Sequence, residues 1–224
     1  MKPRITVTGA DERTPIAELV RLTQLSKRVE IGLLYSETPE GRNRYPSGPW
    51  LREAIAALGP RCAVHVCGSR ARTVVSSSEW ARLVGRVQFN GSVSVSELFY
   101  LCQPFGYRAV ITQHNPIRNP DLCNANPSHN DTPRFRAAPH MLLVDASGGR
   151  GCSPEHWERP NTWKPVGFAG GLGPTNLAVE LPRIAAVALD PWWVDMEGRL
   201  RTPDDWFSVA LAEQAIEVFL ETLP

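Results

Sequence analysis

The sequence predicts an α/β fold closed as a (β/α)8 TIM barrel, and three observations predict it. Eight short β-branched or apolar runs recur almost end to end, most of them followed by an amphipathic stretch of helical period. That alternation belongs to parallel strands joined by crossover helices. The chain of 224 residues has the length of one α/β barrel, and no Pro/Gly/Ser-rich linker or internal repeat divides it. Residues 1–224 therefore read as a single domain.

Ile5-Thr6-Val7 is the first strand, and the stretch from Pro15 to Val20 a helix with proline near its first turn. Val29 to Tyr35 is the second strand; Pro49 to Leu58 is a helix stopped by Gly59-Pro60. Ala63 to Cys67 is a strand followed by a helix over Ser76–Val84, and Val87-Gln88-Phe89 a strand followed by Ser94–Cys102. Ala109 to Gln113 is the fifth strand, Met141 to Val144 the sixth and Val166 to Ala169 the seventh. A helix over Pro174–Leu181 and an eighth strand over Ala185–Leu189 lead to a closing helix over Asp204–Leu223. Asp204 and Asp205 would suit the positive end of that helix. Asn115 to Pro139 carries too many Pro and Asn residues for the helix due after strand five, so a long loop is expected there.

Composition narrows the function. With 42% hydrophobic and 21% charged residues the chain can bury a substantial core. A net charge of +1 gives no footprint for nucleic acid or for an anionic membrane surface. No apolar run could span a bilayer and MKPRITVTGADERT lacks a signal-peptide core, so a cytoplasmic location is expected. The oligomeric state is left open. Five cysteines without CxxC spacing point to free thiols. Cys62 and Cys67, an odd step apart on one strand, should face opposite ways. Cys123 and His129 read as parts of a solvated loop rather than a metal site.

In such a barrel the site lies at the C-terminal ends of the strands. That rule collects Thr8, Asp11, Arg42, Arg44, Cys67, Asn90, His114, Asp145, Gly148–Gly151, Gly170–Gly173 and Asp190–Trp193. The Gly170-Gly171-Leu172-Gly173 turn follows strand seven, where barrels often bind phosphate through backbone N–H groups. Asp145 ends strand six in LLVDASGGRG and suits a general acid, or alternatively a cap on its own glycine turn. Arg42 and Arg44 follow strand two, where a guanidinium could hold a carboxylate by two parallel bonds or lie solvated. His65 and His140 read as structural histidines, and Arg70-Ala71-Arg72 as a solvated helix start.

Together these residues resemble the phosphoribosylanthranilate isomerase family. Leu143-Val144-Asp145 with Gly148-Gly149-Arg150-Gly151 is similar to the family's strand-six LLD and following G-G-x-G. Phe168-Ala169-Gly170-Gly171-Leu172 is similar to its L-A-G-G-L, and Val87-Gln88-Phe89-Asn90-Gly91 to its V-Q-L-H-G. Arg44-Tyr45 resembles part of its S-P-R-Y segment, and Val194-Asp195 with Gly198 its acid and glycine after strand eight.

The resemblance implies an Amadori-type isomerisation of a phosphorylated sugar amine in tryptophan biosynthesis, with no cofactor or metal. It implies Asp145 as the acid that opens the sugar ring, Arg44 at the substrate carboxylate, Gln88 and Asn90 as substrate contacts, and Gly148, Gly149, Gly170, Gly171 and Gly173 around the phosphate. The partner it implies is a phosphorylated small molecule. Three departures stand out. Thr8 occupies the position of the family's general-base cysteine, and a threonine hydroxyl is far too weak a base to take a C–H proton unaided. Asn90 replaces a histidine. Trp192-Trp193 replaces small residues and would wall off the site or stack on an aromatic substrate. Asp11, Cys67 and His114 are the candidate replacement bases. Besides a divergent isomerase, the sequence admits a paralogue acting on another phosphorylated or aromatic molecule, and a non-catalytic ligand-binding relative.

Overall fold

The computed structural model describes residues 2–38, 43–91, 93–102, 104, 109–114, 140–145, 147 and 151–224. Eight strands close into one parallel barrel in chain order, seven of them where the sequence predicts a strand. They are β1 (Arg4–Thr8), β2 (Val29–Ser36), β3 (Cys62–Cys67), β4 (Arg86–Asn90), β5 (Ala109–His114), β6 (His140–Asp145), β7 (Val166–Ala169) and β8 (Trp192–Met196). The described helices are α1 (Ile16–Gln24), α2 (Gly48–Leu58), α3 (Ser69–Ser77), α4 (Val95–Cys102), α5 (Leu177–Ala185) and α6 (Val209–Thr222). The segment expected as a long loop, Asn115 to Pro139, lies outside the described residues. No helix among the described residues is long and apolar enough to cross a membrane.

Strand parity organises everything else. Ile5, Val7, Ile31, Leu33, Val64, Val66, Val87 and Phe89 face outward and pack with the helices in one large apolar cluster. The alternate residues fill the barrel, where Ile111, Leu143 and Trp193 pack with Met141 and Ala169. Cys62 is buried in the outer cluster while Cys67 bonds with the interior residue Asn90, so the two thiols do face opposite ways.

Small interior residues leave room for large neighbours. Gly32 pairs with Thr8, and a Cβ on it would come within 2.1 Å of the Thr8 hydroxyl. Gly167 pairs with Trp193, and a Cβ there would come within 2.1 Å of the indole. At the N-terminal end of the barrel, Arg86 on β4 bonds both carboxylate oxygens of Glu30 on β2, and the Thr6 hydroxyl on β1 also bonds that carboxylate. Arg86 Nη2 closes this buried layer by donating to Thr6 Oγ1 at 2.9 Å.

Three boundaries correct the expectation. The stretch Ala185–Leu189 is not the eighth strand: Ala185 ends α5, and β8 begins at Trp192. The third helix is Ser69–Ser77, with only a short 3-10 turn, Glu79–Arg82, where a helix over Ser76–Val84 was expected. The closing helix starts after Ser208, whose hydroxyl caps Leu211 N–H, and not at Asp204. Asp205 instead takes a left-handed turn, φ 59°, and accepts from Arg44 and Arg201.

Candidate active site

A cavity of about 390 Å³ opens at the C-terminal mouth of the barrel. Its lining comes from β3 (His65), β4 (Gln88, Asn90), β5 (Gln113), β6 (Leu143, Asp145), the β7 turn (Ala169 to Leu172) and the end of β8 (Asp195 to Arg199), with Arg44 from the β2 loop.

The interior face of the barrel builds a polar belt here. Thr8 Oγ1 donates to Asp195 Oδ1 at 2.6 Å, and both residues are buried. His65 Nδ1 lies 3.8 Å from the other oxygen of Asp195. Gln88 Nε2 lies 3.2 Å from the same His65 nitrogen and donates to Asn90 Oδ1 at 3.0 Å. The amide nitrogen can only donate, so a hydrogen bond between the two has His65 Nδ1 as its acceptor. Asn90 Nδ2 then reaches Cys67 Sγ at 3.3 Å. Gln88 Oε1 is buried with no hydrogen-bond partner among the described residues.

Asp145 is half-buried at the end of β6. Its Oδ1 accepts from Ser147 N–H at 3.1 Å and from the Ser147 hydroxyl at 2.8 Å, and that hydroxyl accepts from Gly151 N–H. The carboxylate thus caps its own turn through one oxygen while lining the cavity. Asp145 and Asp195 open into one space, on strands separated only by β7.

The glycine turn after β7 forms the adjoining wall. Gly170 and Gly171 both have positive φ, 122° and 61°. A Cβ on Gly171 would run into Ser153 N at 2.3 Å, so only glycine lets this turn lie against the 151–153 backbone. Gly173 N–H donates to Asn176 Oδ1 at 2.9 Å, which commits it to the turn rather than to a ligand. Arg199, exposed and lining the cavity, lays its stem along Gly173 and brings a positive charge to this wall.

The other expected site residues fall elsewhere. Asp11 is fully buried beneath the mouth, and its carboxylate accepts from Arg13 N–H, Arg201 and Phe207 N–H, so it is structural in this fold. Thr8 supports Asp195 from below. Cys67 and His114 end their strands beside the cavity, outside its lining, and burial pushes the His114 imidazole down from its usual value. Trp192 and Trp193 do not wall the mouth; with β8 starting at Trp192 they lie at the opposite end of the barrel. Arg44 reaches the cavity, but its guanidinium is engaged by Glu197 at 2.7 Å and Asp205 at 3.0 Å. Arg42, Gly148 and Gly149 lie outside the described residues.

Sequence reasoning passed over His65 and Glu197 and left Asp195 out of the site. His65 shares a face with Cys67, two residues on, and that parity could have placed it inside the barrel. Burial, reinforced by Asp195, raises the Glu197 carboxyl above its usual range against the lowering pull of Arg44, His65 and Arg201.

The sequence matches no family model and no curated protein. The fold is similar to TrpF from Jonesia denitrificans, with a TM-score of 0.68 and 17% identity over 98% of each chain. A phosphoribosyl anthranilate isomerase solved in complex with reduced 1-(o-carboxyphenylamino)-1-deoxyribulose 5-phosphate is similar at a TM-score of 0.65 and 16% identity, over 98% of this chain and 99% of that one. A 3-hexulose-6-phosphate synthase is similar at 0.53 and 14% identity, over 97% and 99% of the two chains. These likenesses establish the barrel fold.

Proposed function

We propose that this chain is a divergent relative of phosphoribosylanthranilate isomerase that interconverts the aldose and ketose forms of a phosphorylated sugar amine. The observation that carries the reading is the pair of carboxylates, Asp145 and Asp195, lining one cavity beside the glycine turn. In this reading Asp145 gives a proton to the ribose ring oxygen as the C1–O bond breaks and the amine nitrogen forms a C=N bond to C1. Asp195, oriented by Thr8, removes the C2 proton; the C=N electrons return to nitrogen, and the resulting enol tautomerises to the ketone. The missing thiol base is thereby replaced from the far side of the barrel seam, since Thr6 and Val7 of β1 pair with Asp195 and Met196 of β8.

The Gly170–Leu172 turn and Arg199 are the phosphate end in this reading, and Gln88 Oε1 accepts from a substrate hydroxyl or N–H. Purified protein incubated with phosphoribosylanthranilate should consume it, seen as loss of the substrate's fluorescence, and the gene should restore growth to a tryptophan auxotroph lacking the isomerase. A folded, well-expressed protein that does neither would sink the tryptophan-pathway assignment. One observation favours a second reading, a paralogue using another phosphorylated or aromatic molecule: Arg44, the residue expected to hold the anthranilate carboxylate, is paired with two carboxylates of its own. Isomerisation of a different phosphorylated aldose amine, abolished by Asp145→Asn, would select that reading.

A further inference from the structure

A second cavity, about 220 Å³, lies at the N-terminal end of the barrel, opposite the site above. Its walls come from Trp192, Trp193, Met141, Pro165 and Pro191, with the Trp193 indole on the interior face of β8, and its charged members are Lys2, Arg4 and Arg86. No carboxylate belongs to its lining.

The charge balance at this end is lopsided. Arg86 is neutralised by Glu30 beneath it and stacks 4.6 Å over the Trp193 ring. Arg61, nearby, spends its donors on the backbone carbonyls of Thr23, Ser26 and Lys27, none of which offsets its charge. The positive charge of Arg4 is felt at both Glu30 and Arg61. Lys2 and Arg4 are exposed, and neither has a carboxylate within ion-pair distance among the described residues. A single buried glutamate thus faces Arg4, Arg61 and Arg86. An apolar, indole-walled hole with an unbalanced cationic rim suits a ligand with a flat apolar body and one anionic end. The volume holds one aromatic ring with its acid group, and is below the usual size of a drug-sized pocket.

We propose that this cavity binds a one-ring aromatic carboxylate, its ring against Trp193 and Met141 and its carboxylate at Lys2 and Arg4. The site is independent of the isomerase reading, because it shares no lining residue with the mouth.

Isothermal titration of the intact protein with benzoate, cyclohexanecarboxylate and inorganic phosphate tests it. Benzoate should bind saturably with one site, cyclohexanecarboxylate several-fold more weakly, and phosphate weakest. The surface double variant Lys2→Gln/Arg4→Gln, checked for an unchanged thermal melt, should weaken benzoate at least tenfold, whereas Asp145→Asn should bind it as the parent does. Absence of saturable benzoate binding overturns the proposal. So does binding that survives the double variant or disappears in Asp145→Asn, which would locate it in the mouth. Phosphate binding as tightly as benzoate would overturn the aromatic assignment.

Discussion

The two ends of the barrel handle buried carboxylates in opposite ways. At the N-terminal end Glu30 accepts from Arg86 through both oxygens and from Thr6, so each of its oxygens has a fixed donor. At the mouth, among the described residues, Asp195 accepts one hydrogen bond, from Thr8, and Asp145 accepts two on a single oxygen, both from Ser147. A carboxylate saturated by rigid donors holds strands together and can neither give nor take a proton cheaply. One with an unfilled oxygen beside a cavity can do both. Asp11 shows that position at the strand ends is insufficient: it lies in the loop after β1, yet Arg201 and two backbone amides consume it. In the proposed reading, the number of fixed donors separates scaffold from chemistry better than location does.

The largest effect that this contrast predicts is at the mouth. Asp145→Asn and Asp195→Asn should each lower kcat by about 10²- to 10⁴-fold, the usual contribution of a general acid or base. Neither should move the thermal midpoint by more than a few degrees, since each removes a charge that the fold does not saturate. If Asp195→Asn retained full turnover, the base would have to be sought outside the described belt.

The reverse pattern is expected at the other end. Arg86→Met strands the buried Glu30 without its partner, which should cost about 3–5 kcal/mol of stability. Burial pushes the Glu30 carboxyl up, but the charge and hydrogen bonds of Arg86, with Thr6 and Arg4, more than reverse this and hold it below the usual range. A carboxyl held low in the folded state contributes stability above its unfolded pKa and loses it as the pH falls through the folded one. Parent stability should therefore decline in acid. In Arg86→Met burial acts unopposed by Arg86, so the penalty should shrink as the pH falls toward 4 and Glu30 takes up a proton. Urea melts at pH 7 and pH 4 measure this; a penalty that stayed constant would mean Glu30 is not the group involved.

How far the sequence could be read follows from the same interior. The outward residues of the strands are mostly apolar and many are β-branched, which made seven strands legible within a residue or two. The eighth was misplaced because Ala185-Ala186-Val187-Ala188-Leu189 is as apolar as a strand. The expected helix ended at Leu181, directly before Pro182, whereas α5 carries that proline internally and runs on to Ala185. One misplaced strand displaced two assignments. The tryptophans moved from the N-terminal end to the mouth, and Asp195, the residue they hid, stayed out of the candidate list. Asp145 and the Gly170–Leu172 turn were legible because a carboxylate and glycines at strand ends are local signals. The belt joining Thr8, Asp195, His65, Gln88 and Asn90 was not, because it exists only once β1 closes against β8.

The smallest effect, and the one that sharpens the contrast most, concerns Glu197 and Arg44. Glu197 lies between the two regimes: it lines the cavity, yet Arg44 bonds one of its oxygens at 2.7 Å. Burial lifts its carboxyl above the usual range and the neighbouring Asp195 adds to that, while Arg44 is the foremost of the groups pulling it back. A carboxyl raised in the folded state contributes stability below its unfolded pKa and loses it as the pH rises through the folded one. Arg44→Gln lifts it further, so the variant's deficit, which near pH 4 is only the lost pair with Asp205, should widen toward pH 7. The loss should be about 1 kcal/mol or less, because the pair is partly exposed. Kinetics of the same variant divide the two functional readings. If Arg44 leaves Glu197 to hold a substrate carboxylate, KM for phosphoribosylanthranilate should rise at least tenfold with kcat little changed. If the pair stays closed during turnover, KM should be unmoved while the pH-dependent stability loss persists, and the arginine belongs with Glu30 and Arg86 as scaffold.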